Sequence, residues 1–111
     1  NHKMANTFKL KTKANVGVST VGIYTAPAAT TTVVIGITMS NTSGSGVNVG
    51  VGITRASAED VKLLKNAPIP QGSSLEFMAG NKIVLETTDT LTVDSDTNNS
   101  VDASLTIMEI T

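Results

Sequence analysis

Oxygen-bearing side chains recur at every second position near the C-terminal end of the chain. They are Asp94, Asp96, Asn98, Ser100 and Asp102. Hard cations such as Ca²⁺ take oxygen ligands from loops of this kind. The run opens like a calcium-binding helix-loop-helix segment, but Asn99 stands where that loop requires glycine, and strands are expected on both sides. Two interpretations stay open, a weak calcium site and a polar loop of turn-forming residues, and these departures favour the loop.

Nucleophilic catalysis needs an activated side chain beside a base, and the sequence offers no such pair. The chain has no cysteine, and its one histidine is His2. The carboxylates of Glu76, Glu86, Asp94 and Glu109 alternate with apolar residues, which predicts that they lie on outer sheet faces. No glycine-rich phosphate loop leads into a lysine and a helix. We therefore predict that the protein is not an enzyme and that it holds no cofactor, the calcium alternative aside.

A short basic stretch near the N-terminus contains Lys9, Lys11 and Lys13, which alternate with Phe8 and Leu10. This alternation predicts an edge strand or arm with a basic outer face. So few positive charges attract nucleic acid only weakly, and Phe8 is the only aromatic residue nearby, so we do not expect a nucleic-acid partner. A solvated edge, or an arm on the acidic surface of a neighbouring subunit, explains the lysines better.

The charges are unevenly distributed along the chain. The first 58 residues hold five basic residues and no acidic one, whereas the remaining residues hold three basic and nine acidic ones. The two parts therefore carry +5 and −6, which sum to the net charge of −1. Such a separation can favour contacts between copies, as in a ring, or it can be neutralised inside one fold.

Two runs in the middle of the chain show the clearest periodicity. Apolar residues occupy every second position in residues 33–39 and again in residues 47–53, and a Gly/Ser-rich linker joins the runs. This pattern predicts a central hairpin of two half-buried strands. Its outward positions are small or polar and nearly uncharged, and glycine inside a strand marks a bend, a bulge or the close approach of another backbone. We predict a self-association interface on this outer face, with Lys9, Lys11 and Lys13 as second choice. The outer-face residues are Gly36, Thr38, Asn48, Gly50 and Gly52.

About nine short apolar runs separated by turns, with no convincing helix, predict an all-β fold. The expected architecture is an antiparallel β-sandwich of the jelly-roll or Greek-key type, in which the last strand is also central. Residues 4–111 form its single domain, and residues 1–3, before Met4, are expected to be an expression-tag remnant. No apolar run approaches the roughly 20 residues of a membrane helix, so we expect no membrane partner.

Residues 66–75 have the sequence NAPIPQGSSL, in which proline and glycine are fixed at three positions. This segment, the most specific of several, resembles a family of small virion structural proteins of tailed marine, cyanophage-type bacteriophages. The likeness runs over essentially the whole chain. The other segments that carry it are residues 23–28, 32–37, 82–86 and 107–110.

The resemblance implies a component of the virion, made in the cytoplasm of the bacterial host. Its expected partners are copies of itself, as a cyclic homo-oligomer, and other virion proteins. A capsid decoration or head-associated module is the leading interpretation, and a tail or fibre component that binds the host surface is the second. A soluble calcium-binding module is the third. The resemblance supplies no catalytic residues.

Overall fold

The structure, a computed structural model, describes residues 6–55, 58–77 and 83–111. The tag assigned to residues 1–3 lies outside these ranges, and so does part of the segment 82–86. Every regular element in the described residues is a β-strand, and every strand pair is antiparallel. The strands are β1 (Asn6–Val16), β2 (Val21–Thr25), β3 (Thr31–Asn41), β4 (Val47–Thr54), β5 (Val61–Ile69), β6 (Ser74–Phe77), β7 (Ile83–Leu85), β8 (Thr90–Ser95) and β9 (Val101–Ile110).

The strands form two sheets that pack into a sandwich. Sheet A has the order β1-β9-β3-β6, and β7 also pairs with β3, while sheet B has the order β2-β8-β4-β5. The predicted all-β sandwich is confirmed, and so is the central position of β3, β4 and β9. No helix in the described part of the chain is long and apolar enough to cross a membrane.

The predicted pairing of the two central runs is wrong. β3 lies in sheet A and β4 lies in sheet B, so the runs face each other across the core and do not form a hairpin. The linker of residues 42–46 can span about 16 Å, which exceeds the roughly 10 Å between stacked sheets. Alternation shows which side chains face the core, and it does not show which sheet a strand joins.

A β-bulge in β3 changes which residues of the first run are buried. The register with β9 shifts between Val34 and Gly36. Val34 and Ile37 are therefore both in the core, whereas Val33 and Ile35 are only half-buried. The expectation of strict alternation across residues 33–39 fails at this one extra residue, because a bulge moves the rest of the strand by one position.

The interior between the sheets is almost entirely aliphatic. Met39, Leu85, Leu105 and Ile107 are fully buried, and Val51 and Val93 contribute from sheet B. Burying aliphatic groups contributes about 25 cal/mol for each Å² of apolar surface removed from water, so this interior is the main source of stability. Sheet A is thus held firmly from one side, which leaves its other face available for contacts.

Candidate assembly surfaces

The outer face of sheet A carries a row of apolar side chains that crosses four strands. In the strand register, Phe8 pairs with Met108, Met108 pairs with Val33, and Val33 pairs with Val84. Phe8 is 67% exposed and Val84 is 54% exposed, while the two residues between them are half-buried. Leu10, also 67% exposed, extends the row along β1. Neighbouring apolar side chains in one row are unusual on the solvent side of a sheet.

The rest of this outer surface is mostly small and polar, and it carries the carboxylates of Glu76 and Asp102. One row next to the apolar residues runs from Leu10 through Thr106 to Gly36. A further row runs from Thr12 through Ser104 and Thr38 to Glu76. We call the outward residues of these rows the A face. They are Phe8, Leu10, Thr12, Val33, Gly36, Thr38, Glu76, Val84, Ser104, Thr106 and Met108.

β1 is an edge strand, as predicted, but its faces are reversed. Lys9, Lys11 and Lys13 pair with Ile107, Leu105 and Ala103, whose side chains lie in the core, so the lysines are on the inner side of the sheet. Phe8 and Leu10 lie on the outer side. The predicted basic outer face is therefore wrong. At the edge of the sandwich a lysine can extend past the opposite sheet into solvent, and an inward-pointing charge protects an edge from unwanted pairing.

A polar cluster that the sequence analysis missed links the two sheets near Lys9. The Tyr24 hydroxyl, from sheet B, donates a hydrogen bond to Glu109 Oε2 at 2.6 Å and lies 2.7 Å from Thr32 Oγ1. Lys9 Nζ lies 2.8 Å from Glu109 Oε1. Glu109 is buried on the core side of β9, so its predicted place on an outer face is wrong. Glu109 stands two residues after Ile107 and four after Leu105, and this shared period of two was the signal that places it inside.

The pKa values in this cluster shift in the directions that the contacts require. Burial, with the hydrogen bond to Glu109, raises the pKa of Tyr24 to about 12, because both penalise the tyrosinate. The hydrogen bond from Lys9, followed by that from Tyr24, lowers the pKa of Glu109 below its ordinary value. The carboxylate is thus held in its charged form between two donors. The arrangement fixes the edge strand to both sheets, which is a structural role.

Gly50 and Gly52 are buried, although they point away from the core. A Cβ atom on Gly52 would lie 2.9 Å from the carbonyl oxygen of Val61, and one on Gly50 would lie 2.7 Å from Asp94 Oδ1. The register between β4 and β5 shifts on both sides of Val51, which carries β5 close over β4. These glycines accommodate the chain's own neighbouring strand, so the outer surface of sheet B is not bare at these two positions.

The structure divides the eight residues predicted for the interface among three places. Gly36 and Thr38 lie on the A face, and a Cβ atom on Gly36 would meet nothing within 4 Å. Asn48, Gly50 and Gly52 lie on β4 in the opposite sheet, and the three lysines line the inner side of β1. Whether any of them contacts a partner stays a prediction.

Side chains in the polar run from Asp94 to Asp102 form hydrogen bonds with other backbone and side-chain groups of the protein. Asp94 Oδ2 accepts a hydrogen bond from Thr20 Oγ1 at 3.1 Å, and Asp96 Oδ1 accepts one from the Asn48 amide at 3.1 Å. Asp102 Oδ1, on β9 of sheet A, accepts a hydrogen bond from the Asn15 amide of β1 at 3.0 Å. Ser100 is buried, and its hydroxyl donates to the carbonyl of Thr97 at 2.6 Å.

These contacts engage four of the five side chains at separate places in the fold. Asn98 is exposed at the loop, next to Asn99, which takes the left-handed conformation with φ of 51° that asparagine tolerates in turns. Within residues 6–55, 58–77 and 83–111, no three acidic, histidine or cysteine side chains are grouped closely enough to hold a metal ion. The arrangement is that of a turn which connects the two sheets.

The separated charges of the sequence meet inside one molecule. Lys9 pairs with Glu109, and Arg55 pairs with Asp89 at 3.2 Å and with Glu86 at 2.5 Å. Each of these pairs joins the basic first half to the acidic second half. Neutralisation within the fold, one of the two alternatives from the sequence, accounts for these charges. Lys11 and Lys13 make no ion pair with the described residues.

No protein-family model matches the chain, and no curated protein matches it. The fold, however, is similar to chains in solved assemblies. A chain of the acid-stable capsid of Helicobacter pylori bacteriophage KHP30 superimposes with a TM-score of 0.58 at 10% identity, over 98% of this chain and 94% of that one. A chain of the disulfide-linked pili of Bacillus endospore appendages gives a TM-score of 0.57 at 12% identity, over 96% and 86%.

A chain of the IBDV viral particle gives a TM-score of 0.59 at 12% identity, over 95% of this chain and 30% of that chain. This chain therefore corresponds to about a third of the length of the IBDV protein. Identities of this size show a shared fold and carry no residue-level correspondence. The protein has the β-sandwich fold that is also found in these capsid and pilus chains.

Proposed function

We propose that this chain is a non-enzymatic structural protein of a bacteriophage particle, which assembles with copies of itself and with other virion proteins. The A face is the observation that carries the proposal. A face with exposed apolar residues and few charges resembles a contact surface more than a solvent surface. The fold supports it, because the capsid chain of bacteriophage KHP30 matches this chain over nearly the full length of both. The sequence resemblance to virion structural proteins points to the same class.

Within the particle, we propose a capsid decoration or head-associated position. A small sandwich with one firmly packed core and one free face is suited to repeated docking on a symmetric surface. Affinity then comes from many equivalent contacts around symmetry axes. No catalytic group is required for this role.

A tail or fibre component is the second candidate, and one observation favours it. The linker of residues 42–46 and the turn of residues 96–100 lie side by side at one end of the sandwich, where the Thr42 amide donates to the carbonyl of Ser100 at 2.8 Å. Adjacent polar loops at one end of a sandwich are a common way to present a binding surface. The similarity to a pilus chain also fits an elongated assembly, although the disulfide links of those pili have no counterpart here, because this sequence contains no cysteine.

Immunogold labelling of purified particles tests the proposal. The particles come from the virus whose genome encodes this chain, and the number of copies is measured in the same preparation by quantitative mass spectrometry. A decoration protein should label the head at a copy number on the order of hundreds, whereas a tail or fibre component should label the tail at a number on the order of tens. Absence of the chain from washed particles, with presence in the infected-cell lysate, would contradict both candidates.

A further inference from the structure

We propose that two copies of this chain associate face to face through the A face, about a two-fold axis that runs parallel to the strands and passes between β9 and β3. The inference rests on the proposed function, since it names the partner and the surface of the self-assembly. It is carried by the order of side chains in each row of the A face, by the order of the rows along the strands and by the size of that face.

The apolar row is complementary to itself under this rotation. A two-fold axis along the strands reverses the left-to-right order of the row and keeps its level along the strands. Phe8 then lies over Val84 of the second copy, and Met108 lies over its Val33. In the row that begins at Thr12, Ser104 lies over Thr38 of the second copy in the same way. Each row of the A face therefore meets the same row of the second copy, apolar on apolar and polar on polar, as in a two-fold interface.

The A face is large enough for a stable dimer. Four strand widths at about 4.8 Å each give a width of about 19 Å, and strands of ten or eleven residues give a length of about 35 Å. Their product, about 650 Å², lies within the range of about 600–1,000 Å² that each partner buries in a standard interface. Two twisted sheets can pack in this way with their strands about 30° apart and their backbones about 10 Å apart.

The order of the rows along the strands selects this axis over the alternative. With the axis along the strands, the β6 edge of one copy lies over the β1 edge of the other. Glu76, the acidic residue of the A face, then lies over Thr12 of the second copy. An axis perpendicular to the strands, through the middle of the A face, would place the apolar row over the row of Thr12, Ser104 and Thr38. Direct pairing of two β1 edges would bring lysines together, and like charges in contact are destabilising.

Sedimentation equilibrium of the full chain tests the dimer and its surface. The test variant is Phe8→Asp with Val84→Asp, and the matched control is Val18→Asp, which replaces a valine of 57% exposure outside the A face. All three residues are exposed enough for the fold to tolerate the change, which circular dichroism verifies. We expect the unchanged chain and the control to dimerise at about 50 μM or below. The test variant should bind at least about a hundredfold more weakly, since each buried charge occurs twice in the interface.

Cross-linking of cysteine variants tests the axis. The sequence contains no cysteine, so Phe8→Cys and Val84→Cys introduce single thiols into an otherwise unreactive chain. A short bismaleimide should link the two variants when they are mixed and should link neither variant to itself. Self-linking of Phe8→Cys would overturn the proposed axis and indicate one perpendicular to the strands.

The failure of this inference and the failure of the proposed function give different results. A chain that stays monomeric at about 500 μM, or a test variant that dimerises like the control, overturns the A-face dimer. If the same chain is still found in washed particles, the virion role stands, and loss of particle binding by the test variant would then identify another virion protein as the occupant of the A face. If the chain forms the A-face dimer but is absent from washed particles, the dimer stands and the proposed virion role is overturned.

Discussion

Replacing Gly52 with alanine would place a methyl group where the backbone of the neighbouring, bulged strand β5 comes close to β4. The new Cβ atom would lie 2.9 Å from the carbonyl oxygen of Val61 and 3.2 Å from Thr92 Oγ1. Unstrained carbon contacts begin at about 3.5 Å, so the β5 backbone would have to move by about half an ångström. Gly36 is the matched control, because it is also a strand glycine but has nothing within 4 Å of its own Cβ position.

The two substitutions share one favourable effect and differ in one unfavourable effect. Alanine in a strand restricts the unfolded chain, which stabilises the fold by about 0.5–1 kcal/mol at either position. Overpacking adds a cost of about 1–3 kcal/mol at Gly52 only. Gly36→Ala should therefore raise the free energy of unfolding slightly, and Gly52→Ala should lie about 1–3 kcal/mol below it. For a domain of this size, about 1 kcal/mol corresponds to a shift of about 4 °C in the melting temperature.

Urea denaturation followed by circular dichroism measures this difference, and a second protein concentration reveals any contribution from association. The slope of the free energy against urea should be the same in both variants, because neither changes the surface exposed on unfolding. If Gly52→Ala proves as stable as Gly36→Ala, the close approach of β5 does not explain the glycine. An external partner at that position would then become the better explanation.

Three further predictions concern the cluster that links the sheets. Tyr24→Phe should lower the free energy of unfolding by about 1.5–3 kcal/mol, because it removes a buried hydrogen bond to a carboxylate. The control is Thr25→Val, which removes an exposed hydroxyl pair and should change the free energy of unfolding by less than about 0.5 kcal/mol. Tyr24 is the only tyrosine, so ultraviolet absorbance should show ionisation near pH 12, and stability should hold below pH 10 and fall as the pH rises towards 12. An ionisation midpoint near 10 would contradict the cluster. At acid pH, stability should fall as the pH drops below the ordinary Glu109 value of 4.5 and through its lowered folded pKa, and Glu109→Gln should weaken that dependence in a series of unfolding curves.

Sequence periodicity predicted the strands of this fold better than it predicted their neighbours. The nine strands agree with the expected number of about nine runs, and β5 continues through Pro68 to Ile69. Pro68 is compatible with β5 because β5 is the edge of sheet B. The partner of β3 could not be predicted in this way, because a flexible linker permits either a hairpin or a crossing to the other sheet.

The candidate surface was only partly predictable for the same physical reason. At Phe8 and Lys9 the alternation defines two faces, but at the edge of a sandwich both faces are accessible, so hydrophobicity does not decide which one points inward. Gly36 and Thr38 were placed on an outer face, and they do lie on the A face. Gly52 looked similar in sequence, and only the three-dimensional path of β5 distinguishes it.

A cryo-electron microscopy reconstruction of the virus particle is the most direct test of the central claim, which is that this sandwich is a virion component that assembles through the A face. We expect density for the two-sheet sandwich in the particle, with the row from Phe8 to Val84 packed against another protein chain. The claim would be contradicted if the sandwich were absent from the particle, or if every copy present turned the A face towards solvent.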